Sequence, residues 1–206
     1  MKHIVKHAEP HAFSAWKSSR PGAVYNDLKH APDVKADLKR SLLSEQGCLC
    51  CYCERTISEG TSHIEHFKPK DSHQPYADLQ LDYGNLHACC NLEPTSTTPN
   101  ICGVKKGNVY SPSLISPLEV DCASHFAYGY DGSIRPSDAH DTRAVYTISL
   151  LGLNDAFLQA LRKSAIEPFL DDTLTAEEIE TMKEYYLSPN PDGTLNSFYS
   201  TIASLF

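Results

Sequence analysis

The cysteines of this 206-residue chain fall in two tight groups, Cys48, Cys50, Cys51 and Cys53, then Cys89, Cys90 and Cys102, with Cys122 apart. What they do depends on the compartment. The opening stretch MKHIVKHAEPHAF is basic, with no apolar core and no small-residue cleavage site, so it is not a secretory signal. No apolar run approaches the roughly 20 residues a membrane helix needs. The expectation is a cytoplasmic protein that meets no membrane. Disulfides are disfavoured there, and clustered thiols point to metal. Hydrophobic residues make up 41% of the chain, enough to bury a core in one domain or two small ones.

Cys50 and Cys53 form a C-x-x-C pair, and two thiolates so spaced on a tight turn can reach one tetrahedral ion. Cys90 and Cys102, separated by a Pro/Thr/Ser-rich loop from Asn91 to Asn100, can close a four-cysteine zinc site with them. Cys89 competes with Cys90, which is preferred, and Cys48 and Cys122 read as ordinary thiols. Between the two groups lies Ser-His-Ile-Glu-His-Phe-Lys-Pro-Lys, residues 62–70, with a short strand expected over 61–67. Alternation would send Glu65 and His66 to opposite faces unless the strand ends there. An acid beside an imidazole at a strand end can supply a metal ligand and a general base.

The flanks are expected to be helical. Val34, Leu38 and Leu42 predict a helix over 33–46, capped by Asp33 and ended by Gln46-Gly47. Residues 125–135 predict a hairpin around Asp131-Gly132. Helices are expected over about 141–151, after Asn154 with Phe157, Leu158, Leu161 and Ala165 on one face, and from Thr175, where Thr175 and Glu178 make a capping box. A short helix is expected between Phe198 and Phe206. The segments are then 1–47, an N-terminal helical part; 48–110, the cysteine-bounded core; and 111–206, a hairpin with C-terminal helices.

The net charge of −8 argues against strong unaided binding to nucleic acid. Residues 1–110 carry 13 Lys+Arg and 12 Asp+Glu, whereas residues 111–206 carry 5 and 14. The acidity therefore lies at the C-terminal end, which makes that region a candidate partner-docking surface and leaves Lys68, Lys70, Lys105 and Lys106 as candidate phosphate contacts.

Four runs taken in order, Cys-Cys-Tyr-Cys-Glu, His-Ile-Glu-His-Phe-Lys-Pro-Lys, Tyr-Gly-Asn-Leu and Cys-Gly-Val-Lys-Lys-Gly-Asn, resemble the HNH endonuclease family. More narrowly they resemble the PtuB-type subunit of Septu and retron-linked anti-phage systems, over most of the chain. The resemblance implies an α+β fold: a ββα-metal finger with a structural four-cysteine zinc, set in a mainly helical domain. It makes His66 the general base, Glu65 a ligand of a catalytic Mg²⁺ or Mn²⁺, and Asn85 the middle asparagine that tethers the loop. Many such sequences carry His or Asn right after the last cysteine, where this chain has Gly103. Asn108 is taken as the substitute ligand, with His63 and His87 as rivals. The implied partners are a nucleic acid substrate, DNA before RNA, an ABC/SMC-like ATPase of the PtuA type, and in some systems a retron reverse transcriptase with its multicopy DNA. Two other classes compete. A non-catalytic zinc-ribbon module would explain the cysteines but leave Glu65, His66 and Asn85 without a task. Thiol redox chemistry at Cys50/Cys53 is disfavoured because the motif follows a helix and enters a loop.

Overall fold

A computed structural model describes the whole chain except Ser72, Gln74, Glu93, Pro94, Ser96 and Thr97. Part of the expected Asn91–Asn100 loop therefore lies outside the described residues. Helix α1 (His11–Ser18) buries Phe13 and Trp16 and packs on α2 (Pro32–Glu45), whose buried residues include Leu38, Leu42 and Leu43. Asp33 does not cap α2. Pro32 takes the first helical position, where its missing N–H costs nothing, and Ala31 precedes it. At the other end Gly47, with φ +60°, turns the chain into the first cysteines.

Strands β1 (Ser62–His66) and β2 (Leu86–Cys90) pair antiparallel, with Ser62 opposite Cys90, Glu65 opposite His87 and His66 opposite Leu86. Helix α3 (Cys102–Lys106) then packs on β2. A second hairpin, β3 (Phe126–Tyr128) and β4 (Ile134–Pro136), turns through Gly132. Gly132 has φ +82°, and a β-carbon there would stand 2.0 Å from the Gln159 carbonyl oxygen, so only glycine fits.

The remaining helices are α4 (Thr142–Leu151), capped by Asp141, α5 (Ala156–Ile166), capped by Asp155, α6 (Ala176–Leu187) and α7 (Tyr199–Leu205). The Thr175–Glu178 capping box is present on both sides, with Thr175 N–H donating to Glu178 at 2.8 Å. The fold is thus mixed α+β, with two small antiparallel sheets among helices. One buried cluster runs from Met1, Phe13 and Leu38 through Ile64, Leu86 and Ile115 to Leu151 and Leu158. A smaller one joins Ile166, Phe169 and Ile202. Among the described residues no single helix is long and apolar enough to cross a membrane.

Candidate metal centre and flanking site

The first cysteine group sits on a knuckle between Leu49 and Thr56, closed by a bridge between those two residues and by the Cys50 N–H on the Arg55 carbonyl at 2.9 Å. Buried Gln46 fastens it to the sheet. Its amide donates to Leu49 O at 2.7 Å and Ala88 O at 2.8 Å, and its carbonyl accepts from Ala88 N at 2.8 Å. β2 brings Cys90, and α3 opens on Cys102 with φ +54°. The sulfurs of Cys50, Cys53, Cys90 and Cys102 thereby lie within 4.8 Å of one another, all buried and none in a disulfide. A tetrahedral zinc with sulfur at about 2.3 Å needs sulfurs roughly 3.8 Å apart. The Cys53–Cys90 separation is 4.0 Å, so the donor set fits a structural metal such as zinc.

Cys89 lies 3.7 Å from Cys50, accepts from Gly103 N–H at 3.3 Å, and groups with Cys50 and Cys51 instead. Burial opposes ionisation of Cys50. The thiols of Cys102, Cys51, Cys53 and Cys89 hydrogen-bonding to it outweigh that and hold its pKa well below the usual thiol value. Cys53, Cys90 and Cys102 are held above it, so Cys50 is the sulfur of the group that ionises most readily.

Glu65 and His66 are the last two residues of β1, and strand alternation gives them different surroundings. Glu65 lies beneath α3. Its Oε1 meets the Lys106 ammonium at 2.8 Å and accepts from the Tyr52 hydroxyl at 3.2 Å, and its Oε2 is 3.3 Å from His63 Nε2. Burial works against its ionisation, but His63 and Lys106 outweigh it and keep the carboxylate below its usual range. Lys106 is not on a solvated face or free for phosphate. It is 1% exposed and also donates to His66 O at 3.0 Å.

His66 packs edge-on against Tyr25 at 4.4 Å, and its Nε2 is 3.0 Å from the Gln80 carbonyl. A carbonyl only accepts, so Nε2 carries the proton and Nδ1 keeps its lone pair. Burial lowers the His66 pKa to about 4, with Lys70 and Lys106 adding to the fall and the Gln80 carbonyl and Glu65 opposing it. The imidazole is neutral at cellular pH, and a weaker base than the ordinary value suggests.

Asn85 clamps the segment after β1. Its carbonyl accepts from Lys68 N–H at 2.7 Å, and its amide donates to Lys68 O at 2.9 Å and Leu79 O at 3.1 Å. Beside this segment is a cavity of about 370 Å³ lined by Val24, Asn26, Lys70, Asp71, Gln80 and Asn108. Gln80 holds His66, and the Lys70 ammonium lies 4.6 Å over the Tyr25 ring. Lys68 stands 5.3 Å over Tyr76 and 5.8 Å over Tyr110. Asn108 is exposed and donates to Asp71 at 3.2 Å. Lys105 is exposed and donates to Ser149 O at 3.0 Å.

His87, opposite Glu65, is 1% exposed, and neither ring nitrogen has a hydrogen-bond partner. Burial, with Lys6 nearby, holds it neutral. Gln46 and Tyr52 build the site without any mark in the sequence, and Lys106, a candidate phosphate contact by sequence, builds it as the partner of Glu65 instead. A glutamine ending a helix and a tyrosine inside C-x-x-C carry no signal until the strands close over them.

The site is thus a buried four-thiol cluster stapled to a hairpin whose outgoing strand ends in an acid and a neutral imidazole. No family model matches the chain. Relatives do. It is 35% identical over 138 residues to a protein of Vibrio cholerae serotype O1 biovar El Tor named "Retron Vc95 putative HNH endonuclease", covering 65% of each chain. It is 29% identical over 96 residues to the Escherichia coli "Retron Ec83 putative HNH endonuclease", covering 44% of this chain and 37% of the relative. The matched stretch thus falls short of two thirds of either relative. These names support the HNH endonuclease family, in a retron-associated setting, as the kin of this chain.

Proposed function

We propose that the chain is a metal-dependent HNH endonuclease that hydrolyses phosphodiester bonds. β1, β2 and α3 are its ββα-metal finger, and a zinc on Cys50, Cys53, Cys90 and Cys102 is structural. The observation that carries this is the placement of Glu65 and a neutral His66 at the end of a strand paired with β2, which carries Cys90 of the four-thiol cluster. His66, oriented by the Gln80 carbonyl, takes the proton of the attacking water through Nδ1. Asn85 fixes the backbone at Lys68, which sets where the segment after His66 runs. Glu65, with a further donor, would hold a catalytic Mg²⁺ or Mn²⁺. Such an ion supplies charge neutralisation at the scissile phosphate when bound. Lys70 lines the cavity that Gln80 shares, Lys68 stands over Tyr76, and both offer phosphate contacts to DNA, with RNA as the second substrate class.

The acidic C-terminal helices suit a role inside a complex. The names of the relatives place those proteins with retrons. On this reading the chain is the nuclease subunit of an anti-phage complex with an ABC/SMC-like ATPase, joined in some systems by a reverse transcriptase and its multicopy DNA. The test is incubation of the purified protein, alone and with the cognate ATPase, with plasmid DNA and with tRNA under Mg²⁺ or Mn²⁺. Cleavage abolished by EDTA and restored by the added ion is expected. Absence of cleavage in every condition would favour the non-catalytic zinc-ribbon module.

A further inference from the structure

The two oxygens of Glu65 are held differently. Oε1 is committed to the Lys106 ammonium at 2.8 Å and the Tyr52 hydroxyl at 3.2 Å. Among the described residues Oε2 faces only the His63 Nε2, at 3.3 Å, under α3. The helix residue above this pair is Gly103. A β-carbon at that position would stand 2.6 Å from Glu65 Oε2 and 2.8 Å from His63 Nε2, closer than real side chains approach. The helix therefore contributes no side chain here, and the imidazole of His63 occupies the space one would need. His63 and Glu65 share a face of β1, two residues apart. The side chain of His63 is 29% exposed and that of Glu65 8%, so the pair meets solvent on the His63 side. Asn108 is engaged elsewhere, on Asp71. Among the described residues no group of three or more His, Cys, Asp or Glu ligand atoms within 4.8 Å includes Glu65, so from these residue types this pair is what the protein offers an ion here.

We infer that His63 Nε2 and Glu65 Oε2 are the protein donors to the catalytic ion, His63 standing in for the side chain that α3 lacks at Gly103, and that the site favours a transition-metal dication such as Mn²⁺, Co²⁺ or Ni²⁺ over Mg²⁺. The inference rests on the nuclease reading and refines its ion site. Ligand chemistry sets the preference. Carboxylate and water suit Mg²⁺, whereas an imidazole in the set moves affinity toward borderline ions in the order Mn²⁺ < Co²⁺ < Ni²⁺. The remaining positions are left to water and substrate phosphate. Lys106 keeps Oε1 fixed, so the ion meets a carboxylate already oriented.

The experiment is Mn²⁺ titration of the full-length, zinc-loaded protein, followed by electron paramagnetic resonance, with pulsed detection of ligand nitrogen. Wild type should show one Mn²⁺ site with imidazole nitrogen coupling, displaced by Ni²⁺ at lower concentration than by Mg²⁺. His63→Ala, with zinc content and melting temperature checked, should lose the nitrogen coupling. Its Mn²⁺ affinity should fall by at least the roughly 10–100-fold that loss of even an outer-shell partner costs. Asn108→Ala should bind as wild type. Nitrogen coupling absent from wild type, or unchanged in His63→Ala, would overturn the assignment; the wild-type measurement needs no variant to fold. Glu65→Gln separates the two levels. If it loses Mn²⁺ while His63→Ala keeps it, only the His63 role fails. If Glu65→Gln also binds as wild type, or wild type binds none, the catalytic-ion reading fails and takes this one with it.

Discussion

His66 and Asn85 stand side by side in the account but make opposite predictions. His66 gives the fold one carbonyl contact and an edge-on ring contact, and its lone pair on Nδ1 is the proposed base. His66→Ala should lower cleavage by about 10²–10⁴-fold, the range that general acid–base catalysis contributes. Zinc content and secondary structure should be unchanged; a cleavage time course with metal analysis checks both. Asn85 makes three hydrogen bonds to backbone while nearly fully buried. Asn85→Ala leaves the Lys68 N–H without its acceptor and should cost about 1–3 kcal/mol in a denaturant titration, with activity falling because the loop after β1 is released. Neither role is fully legible from spacing. The acid–imidazole pair is visible in the string of residues. The partners that tune it, Tyr52 from the cysteine knuckle, Lys106 from α3 and Gln80 from the segment between β1 and β2, come from 13 to 41 residues away and meet it only in the fold.

At the scale of elements, the hairpin and α3 are short. β1 and β2 have five residues each and α3 five, below what holds together alone in water. What joins them is the four-thiol cluster, which ties the knuckle, β2 and α3 to one point. Structural zinc in small finger peptides binds with apparent free energies of about 10–16 kcal/mol, as large as the whole stability of a typical domain, about 5–15 kcal/mol. Cys102→Ser, or exhaustive chelation, should therefore release α3 and the β1–β2 hairpin. Amide exchange over residues 62–66 and 86–90 should speed up sharply, while α4 and α5 lag behind. Uniform retention of protection after metal removal would show that packing alone holds the finger.

The same shortness explains what the sequence concealed. β1, Ser-His-Ile-Glu-His, is legible as a short strand between the two cysteine groups although polar and apolar residues do not alternate along it. β2, Leu-His-Ala-Cys-Cys, is buried throughout and shows no period, and α3 is a single turn containing glycine. The long amphipathic helices and the Thr175 capping box were plain from their own residues.

For the whole molecule, the acidic C-terminal part is bound into the rest. Leu195 N–H donates to Gly47 O at 2.9 Å, and Phe198 N–H donates to Glu54 O at 2.9 Å, beside the first cysteine knuckle. Leu153 and Leu158 lie in the main core. Removing residues 153–206 would thus unfold more than a docking surface. A cleaner probe is the outer face of α6, where Glu177, Glu180, Glu184 and the 79%-exposed Tyr185 meet solvent. Glu177→Lys/Glu180→Lys/Glu184→Lys should lower the melting temperature by no more than about 3–6 °C, since surface changes cost within about 0.5 kcal/mol each and Glu180 gives up its pair with Lys183. It should also weaken co-purification with the ATPase. Undiminished co-purification would move the docking surface elsewhere.

The most direct test of the central claim couples metal content to cleavage in one preparation. Wild type and His66→Ala are purified in parallel, their zinc is quantified, and plasmid DNA and tRNA are offered with Mn²⁺ in the presence of the partner ATPase. The account predicts one zinc per chain in both proteins and cleavage by wild type alone. Equal cleavage by both proteins, or one zinc per chain with no cleavage by either, would contradict it.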